Sequence, residues 1–127
     1  MSPYIVWIDH DHAKAFSLAP LAPLTPKTDA RPIATHTHRI DHHTHALDNL
    51  DREKRTQKMF QETAKLLDEA ENVLIVGPGL AKHLFNNYLA EHFPKVFRKV
   101  AGCEALDHPT DPQIRAFGEN FFRKQAV

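Results

Sequence analysis

Residues 72–93 constrain the fold more than any other part of the chain. Residues 73–76 (VLIV) have the length and composition of a buried strand. Gly77, Pro78 and Gly79 follow, and this turn suits a chain that reverses into a helix, because glycine accepts positive φ and proline fits a first helical turn. The next residues have helical spacing, with Leu80, Leu84 and Tyr88 on one row and Phe85 and Leu89 beside it. A strand, a glycine turn and a helix make half of a βαβ unit, which predicts an α/β sheet protein.

Three strands and a long helix are predicted before this unit. Residues 3–8 (PYIVWI) form a continuous apolar run, which is typical of a strand covered on both faces. A polar turn at 9–12 and an apolar stretch at 13–18 predict an antiparallel hairpin. Residues 33–38 alternate as an edge strand that a second copy could pair with, so a homodimer is one predicted partner. Asp48 is the predicted N-cap of a helix that continues to about Ala70.

The chain after the central unit predicts one more strand and one more helix. Residues 100–106 form the strand, and residues 108–112 (HPTDP) form a helix start in which Thr110 or Asp111 acts as the cap. The last helix is expected to bury Ile114, Phe117, Phe121 and Phe122. The predicted order is therefore βββαβαβα, in one domain that covers residues 1–127.

Composition narrows the classes of function. The 16 basic and 16 acidic residues balance, so no global field attracts nucleic acid or an anionic membrane. The single cysteine, Cys103, excludes an internal disulfide and is expected to be a buried small hydrophobe. No apolar run approaches ~20 residues and the N-terminus lacks a signal pattern, so we expect a soluble cytoplasmic protein with no membrane partner.

Residues 19–47 form a proline-rich and then histidine-rich region, which we expect to be a long surface loop apart from the third strand. Imidazole is a common zinc ligand, so the candidate metal ligands are His36, His38, His42, His43 and His45, with zinc as the candidate cofactor. None of their spacings is that of a recognised zinc motif. A solvated loop and an RNA-contacting loop are the two alternatives, since histidine can stack on a base.

The glycine turn also carries a family resemblance. The run Gly77-Pro78-Gly79-Leu80-Ala81-Lys82, with Phe85, Leu89 and Pro94 after it, resembles the middle domain of Pelota, the ribosome-rescue factor, and the related middle domain of class 1 release factors. Small bacterial proteins of the translational machinery component type are similar as well, with a WIDH-like first strand and a DHPTD-like last helix start. The resemblance implies a ribonuclease H-like mixed sheet, and the order of elements in that fold matches the predicted βββαβαβα.

The sequence departs from the release factors where their chemistry lies. Their Gly-Gly-Gln motif is absent, and the equivalent loop, residues 39–45, reads RIDHHTH. The resemblance therefore implies a non-catalytic module that binds the ribosome, RNA or a translation factor. The candidate contact residues are the loop histidines, the basic start of the long helix and the glycine turn: His42, His43, His45, Arg52, Lys54, Arg55, Lys58, Gly77, Gly79 and Lys82.

Each candidate has a simpler interpretation. The glycine turn lacks the third glycine of a dinucleotide fingerprint, so it is expected to be a tight turn with Lys82 on the surface. Asp9, at the end of the first strand, could serve a metal-dependent hydrolase, but a turn-forming carboxylate is the favoured interpretation. The basic residues 52–58 alternate with acidic ones, as on an ordinary solvated helix face.

Overall fold

The computed structural model describes residues 2–18, 34–37 and 46–125, with side chains described for 2–18 and 53–124. The elements run in the order β1 (Ser2–Ile8), β2 (His12–Ser17), β3 (Ala34–Thr37), α1 (Ala46–Leu66), a 3-10 turn (Leu67–Glu69), β4 (Ala70–Gly77), α2 (Ala81–His92), α3 (Pro94–Phe97), β5 (Val100–Ala105) and α4 (Asp111–Gln125). The predicted order is confirmed, with the short α3 as an addition. None of the described helices combines the length and the apolar character needed to span a bilayer.

The five strands form one mixed sheet in the order β3-β2-β1-β4-β5. β1, β2 and β3 pair antiparallel, whereas β4 and β5 continue the sheet in parallel. Trp7 in β1 lies opposite Lys14 of β2 and Val76 of β4, so β1 is bonded on both sides. The predicted α/β class is confirmed, and β3 lies at the predicted edge.

β1 is buried on both faces, as its continuous apolar run predicts. Tyr4, Val6 and Ile8 belong to a core cluster that includes side chains of α1, α2 and α3. Ile5 and Trp7 point to the opposite face and share a second cluster with α4. The sheet therefore lies between two helical layers, which is the usual way to cover parallel strands.

The first residues of α4 explain how that helix is placed. The Thr110 amide donates to Gln113 Oε1 at 2.9 Å while the Gln113 amide lies 3.4 Å from Thr110 Oγ1, a reciprocal pair that confirms Thr110 as the cap. Asp111 Oδ1 accepts a hydrogen bond from Lys14 Nζ at 2.9 Å, which joins the helix start to β2. Farther along, a Cβ on Gly118 would lie 3.1 Å from Ile5 Cβ, so glycine lets α4 approach β1 closely.

The boundaries of two predicted elements were displaced. α1 begins at Ala46, two residues before the predicted cap Asp48, and ends at Leu66. β4 begins at Ala70, earlier than residues 73–76, because it pairs with β1 from Ser2 onward. The polar residues Glu71 and Asn72 are exposed within this strand, and their polarity concealed its first half from the apolar pattern.

The surface position expected for Lys82 was wrong. Lys82 is only 7% exposed, and its Nζ donates a hydrogen bond to the Gly79 carbonyl oxygen. The physical reason is the helix start: α2 begins at Ala81, so Pro78 precedes the first turn, and Ala81, Phe85 and Leu89 form the core row with Lys82 beside it. The long lysine stem can be buried while its amino group reaches a carbonyl.

The two glycines of the turn have different roles. Gly77 has φ +153° and is buried at the end of β4, where a Cβ would lie 2.0 Å from the Ile8 carbonyl oxygen. Gly79 has φ +61° but is exposed, and a Cβ there would meet nothing within 4 Å. Gly77 is therefore required by a close backbone approach, whereas Gly79 is favoured by its φ alone.

These roles give a matched pair of substitutions. We expect Gly79→Ala to lower the free energy of unfolding by about 1–2 kcal/mol, the cost of a left-handed conformation for alanine. Gly77→Ala should lower it by more than about 3 kcal/mol, because the methyl group meets a backbone carbonyl that cannot rotate away. Urea denaturation of both variants measures the difference, and equal losses would contradict the close approach at Gly77.

Candidate functional site

Asp9 lies directly after β1 and organises the turn to β2. Its Oδ1 accepts hydrogen bonds from the amides of Asp11 at 2.8 Å and His12 at 2.6 Å. The His12 ring nitrogen Nδ1 lies 3.3 Å from the same oxygen. This is the geometry of an Asx turn, so the turn-forming interpretation of Asp9 is confirmed.

Two other acidic residues at this end of the sheet, Asp107 and Asp111, are engaged separately. Trp7 Nε1 donates to the Asp107 carbonyl oxygen at 2.8 Å, and its ring lies 5.7 Å from the His108 ring. The Asp107 carboxylate contacts His108 Nδ1 at 2.9 Å, and Asp111 pairs with Lys14. Among the described side chains, no three His, Cys, Asp or Glu residues come together as a metal site would require. The geometry of this part gives no support to a two-metal hydrolase.

The candidate zinc ligands cannot be tested in the same way. His38, His42, His43 and His45 lie outside the described residues. His36 is in β3, where it pairs with Ala13, and its side chain is also outside the description. The histidine metal site stays a prediction.

Cys103 on β5 differs from the buried hydrophobe that we expected. The residue is only partly buried, and its Sγ lies 3.7 Å from Nδ1 of His83 on α2. Burial raises the pKa of the Cys103 thiol, nearby Lys82 lowers it, and Glu104 raises it again. β5 is the last strand of the sheet, and this edge position keeps the side chain partly exposed.

The two charges predict opposite effects on the thiol. Lys82→Met removes a cation that favours the thiolate, so we expect the pKa of Cys103 to rise and its reaction with a disulfide reagent at pH 8 to slow. Glu104→Gln removes an anion that disfavours the thiolate, so the pKa should fall and the reaction should accelerate. The pH dependence of the reaction rate measures both midpoints.

The control for this pair is Lys95→Met, since Lys95 is exposed on α3 and is not one of the two charges that shift the pKa of the Cys103 thiol. Its midpoint should equal that of the wild type. Midpoints that move in the same direction in the Lys82 and Glu104 variants would contradict the electrostatic account.

The basic residues at the start of α1 lie on an exposed face. Lys54, Arg55 and Lys58 are all exposed, and Lys54 and Lys58 are one helical turn apart on the same side. Arg52 is within the helix, but its side chain is outside the description. We call Lys54, Arg55 and Lys58 the basic face of α1.

A groove between α1 and α2 was not found by sequence reasoning. It has a volume of about 620 Å³ and is lined by His10, Glu53, Thr56, Gln57, Phe60, Leu84, Asn87, Tyr88, Glu91 and His92. The Phe60 and Tyr88 rings pack 5.6 Å apart in it, and burial raises the pKa of the Tyr88 hydroxyl. The Leu80, Leu84 and Tyr88 row was the available signal, because Leu84 and Tyr88 line the groove. We call this feature the α1–α2 groove.

The sequence of the chain is similar to part of two known proteins. The chain is 33% identical over 61 residues to the Pelota homologue of Methanocaldococcus jannaschii and 34% identical over 58 residues to that of Pyrococcus furiosus. These matches cover 46% and 41% of the chain, and the chain spans less than a fifth of the length of either relative. No protein-family model matches the chain.

Solved structures show the same fold over nearly the whole chain. Pelota from Archaeoglobus fulgidus superposes with a TM-score of 0.58 at 16% identity, covering 98% of this chain and 34% of its own. The archaeal translation termination factor aRF1 superposes with a TM-score of 0.56 at 14% identity, covering 98% of this chain and 40% of its own. The likeness to these two structures is one of fold. The resemblance to Pelota and the release factors predicted from the glycine turn is therefore confirmed.

Proposed function

We propose that the chain is a non-catalytic, translation-associated module, acting as one domain over residues 1–127, that binds the ribosome through RNA or a translation factor. The observation that carries the proposal is the similarity to Pelota, in sequence over 61 residues and in fold over 98% of the chain. The likeness to a translation termination factor supports the same class of process. The missing Gly-Gly-Gln motif supports a binding role in place of hydrolysis.

The proposed contact surface is the basic face of α1, with Arg52 and the loop histidines His42, His43 and His45 as predicted neighbours along the chain. Lys54, Arg55 and Lys58 are exposed, and cations on one helix side suit phosphate oxygens. The glycine turn contributes less in this proposal. Gly77 is buried and the Lys82 amino group is engaged with the Gly79 carbonyl, so of these three candidate contact residues Gly79 alone is exposed.

The test is co-sedimentation of the purified chain with ribosomes over a range of salt concentrations. We expect the wild type to bind at low salt and the double variant Lys54→Ala/Lys58→Ala to bind about tenfold more weakly, with a shallower salt dependence. Both lysines are exposed, so the free energy of unfolding should change by less than about 0.5 kcal/mol.

The matched control is Lys95→Ala/Lys124→Ala, which removes two exposed lysines from α3 and α4. It should bind as the wild type does. A wild type that fails to sediment with ribosomes at any salt concentration would end the proposal. Equal binding by both double variants would remove the basic face of α1 from it, and a triple His42→Ala/His43→Ala/His45→Ala variant would then locate the contact in the loop.

A further inference from the structure

We propose that the α1–α2 groove docks an amphipathic helix of a protein partner, with apolar side chains on one row and lysine or arginine beside them. This site is separate from the basic face of α1. Glu53, Gln57 and Phe60 follow the three- and four-residue spacing of one side of α1, and they line the groove. Lys54 and Lys58 each follow a groove residue by one position, which turns them about 100° around the helix.

The first argument is an apolar row along α2 that the core covers only in part. Leu80 is 68% exposed and Leu84 is 49% exposed, while Phe85 and Leu89, on the sheet side, are fully buried. Leu80, Leu84 and Tyr88 are four residues apart, so the row extends about 12 Å along the helix. Tyr88 is half-buried against the core, so the exposed part of the row is Leu80 and Leu84. Neighbouring exposed apolar side chains mark an interaction surface more often than a single exposed leucine does.

The second argument is the shape of the α1–α2 groove. Phe60 and Tyr88 supply its aromatic floor, and Leu84 continues that surface toward the glycine turn. Thr56, Gln57 and Asn87 place hydroxyl and amide groups among the apolar ones. A groove between two helices, apolar along its length and polar beside it, accepts the ridge of side chains on a third helix.

The third argument is charge. Glu53 on α1 and Glu91 on α2 both line the groove and are exposed, and its lining side chains include no lysine or arginine. Glu91 Oε2 has a neighbour in His92 Nε2 at 3.7 Å, and the groove contains a second imidazole, His10. Two carboxylates repel a polyanion, so RNA is a poor occupant here, whereas a lysine or arginine beside the apolar row would be attracted.

The experiment selects occupants without presupposing a sequence. A displayed library of helical peptides, randomised at their solvent-facing positions, is selected for binding to the whole chain. We expect selected peptides to carry Leu, Ile or Phe four residues apart with Lys or Arg beside them. The affinity of one such peptide is then measured by fluorescence anisotropy against the wild type and the variants.

Three variants make the test specific. Leu84→Ser should weaken peptide binding at least tenfold, because it removes apolar area at the centre of the row. Glu53→Gln/Glu91→Gln should weaken binding of the basic peptide, because it removes the two carboxylates that attract the peptide's lysine or arginine. Phe97→Ser, which removes another exposed apolar side chain, on α3, is the control and should bind as the wild type does.

Several outcomes would overturn the proposal. These are selection of no peptide, selection of acidic peptides, or binding that survives Leu84→Ser. A concentration-dependent dimer in ultracentrifugation that Leu84→Ser abolishes would assign the groove to a second copy of this chain. The ribosome experiment is independent, since Lys54→Ala/Lys58→Ala should keep peptide binding and Leu84→Ser should keep ribosome co-sedimentation.

Discussion

The fold depends on β1, a central strand that is buried over most of its length. Residues 4–8 of β1 are all buried, and they alternate between two core clusters on opposite faces of the sheet. Burying both faces requires a helical layer on each side, so α1, α2 and α3 must cover one face and α4 the other. It also requires neighbours at both edges of β1, which β2 and β4 supply. The antiparallel front and the parallel back of the sheet meet at this strand.

The arrangement around β1 determines which surfaces remain for binding. Gly77 lets β4 end against the Ile8 carbonyl, and Asp9 closes the turn beside it through its own hydrogen bonds. These groups stabilise the carboxyl ends of the central strands β1 and β4. The helices retain unused surface: one side of α1 carries lysines, and a neighbouring side, about 100° around the helix, shares an apolar groove with α2. The proposed ribosome contact and the proposed helix-docking groove therefore use separate surfaces of one helical layer.

Much of the fold was predictable from local patterns, whereas the site was less so. The order of elements along the chain, the edge position of β3 and the Thr110 cap follow from apolar runs and from capping chemistry, which are properties of neighbouring residues. The burial of Lys82 and the exposure of Leu84 were harder to predict. The start of α2 at Ala81 decides which helix face meets the sheet, and that start depends on packing. The α1–α2 groove was hardest, since its walls come from segments distant in the chain. The part of the site assigned to the loop histidines lies outside the described residues.

The position of β1 also has a consequence for how the chain is made. Ile8 of β1 meets Ala13 of β2 almost at once during synthesis, but Trp7 waits for Val76. An isolated hairpin is marginal in water, so the IVWI run stays exposed on the nascent chain until β4 has emerged. Such a run has the apolar, β-rich character that favours intermolecular pairing. The delay in completing the pairing of β1 is thus built into the strand order itself.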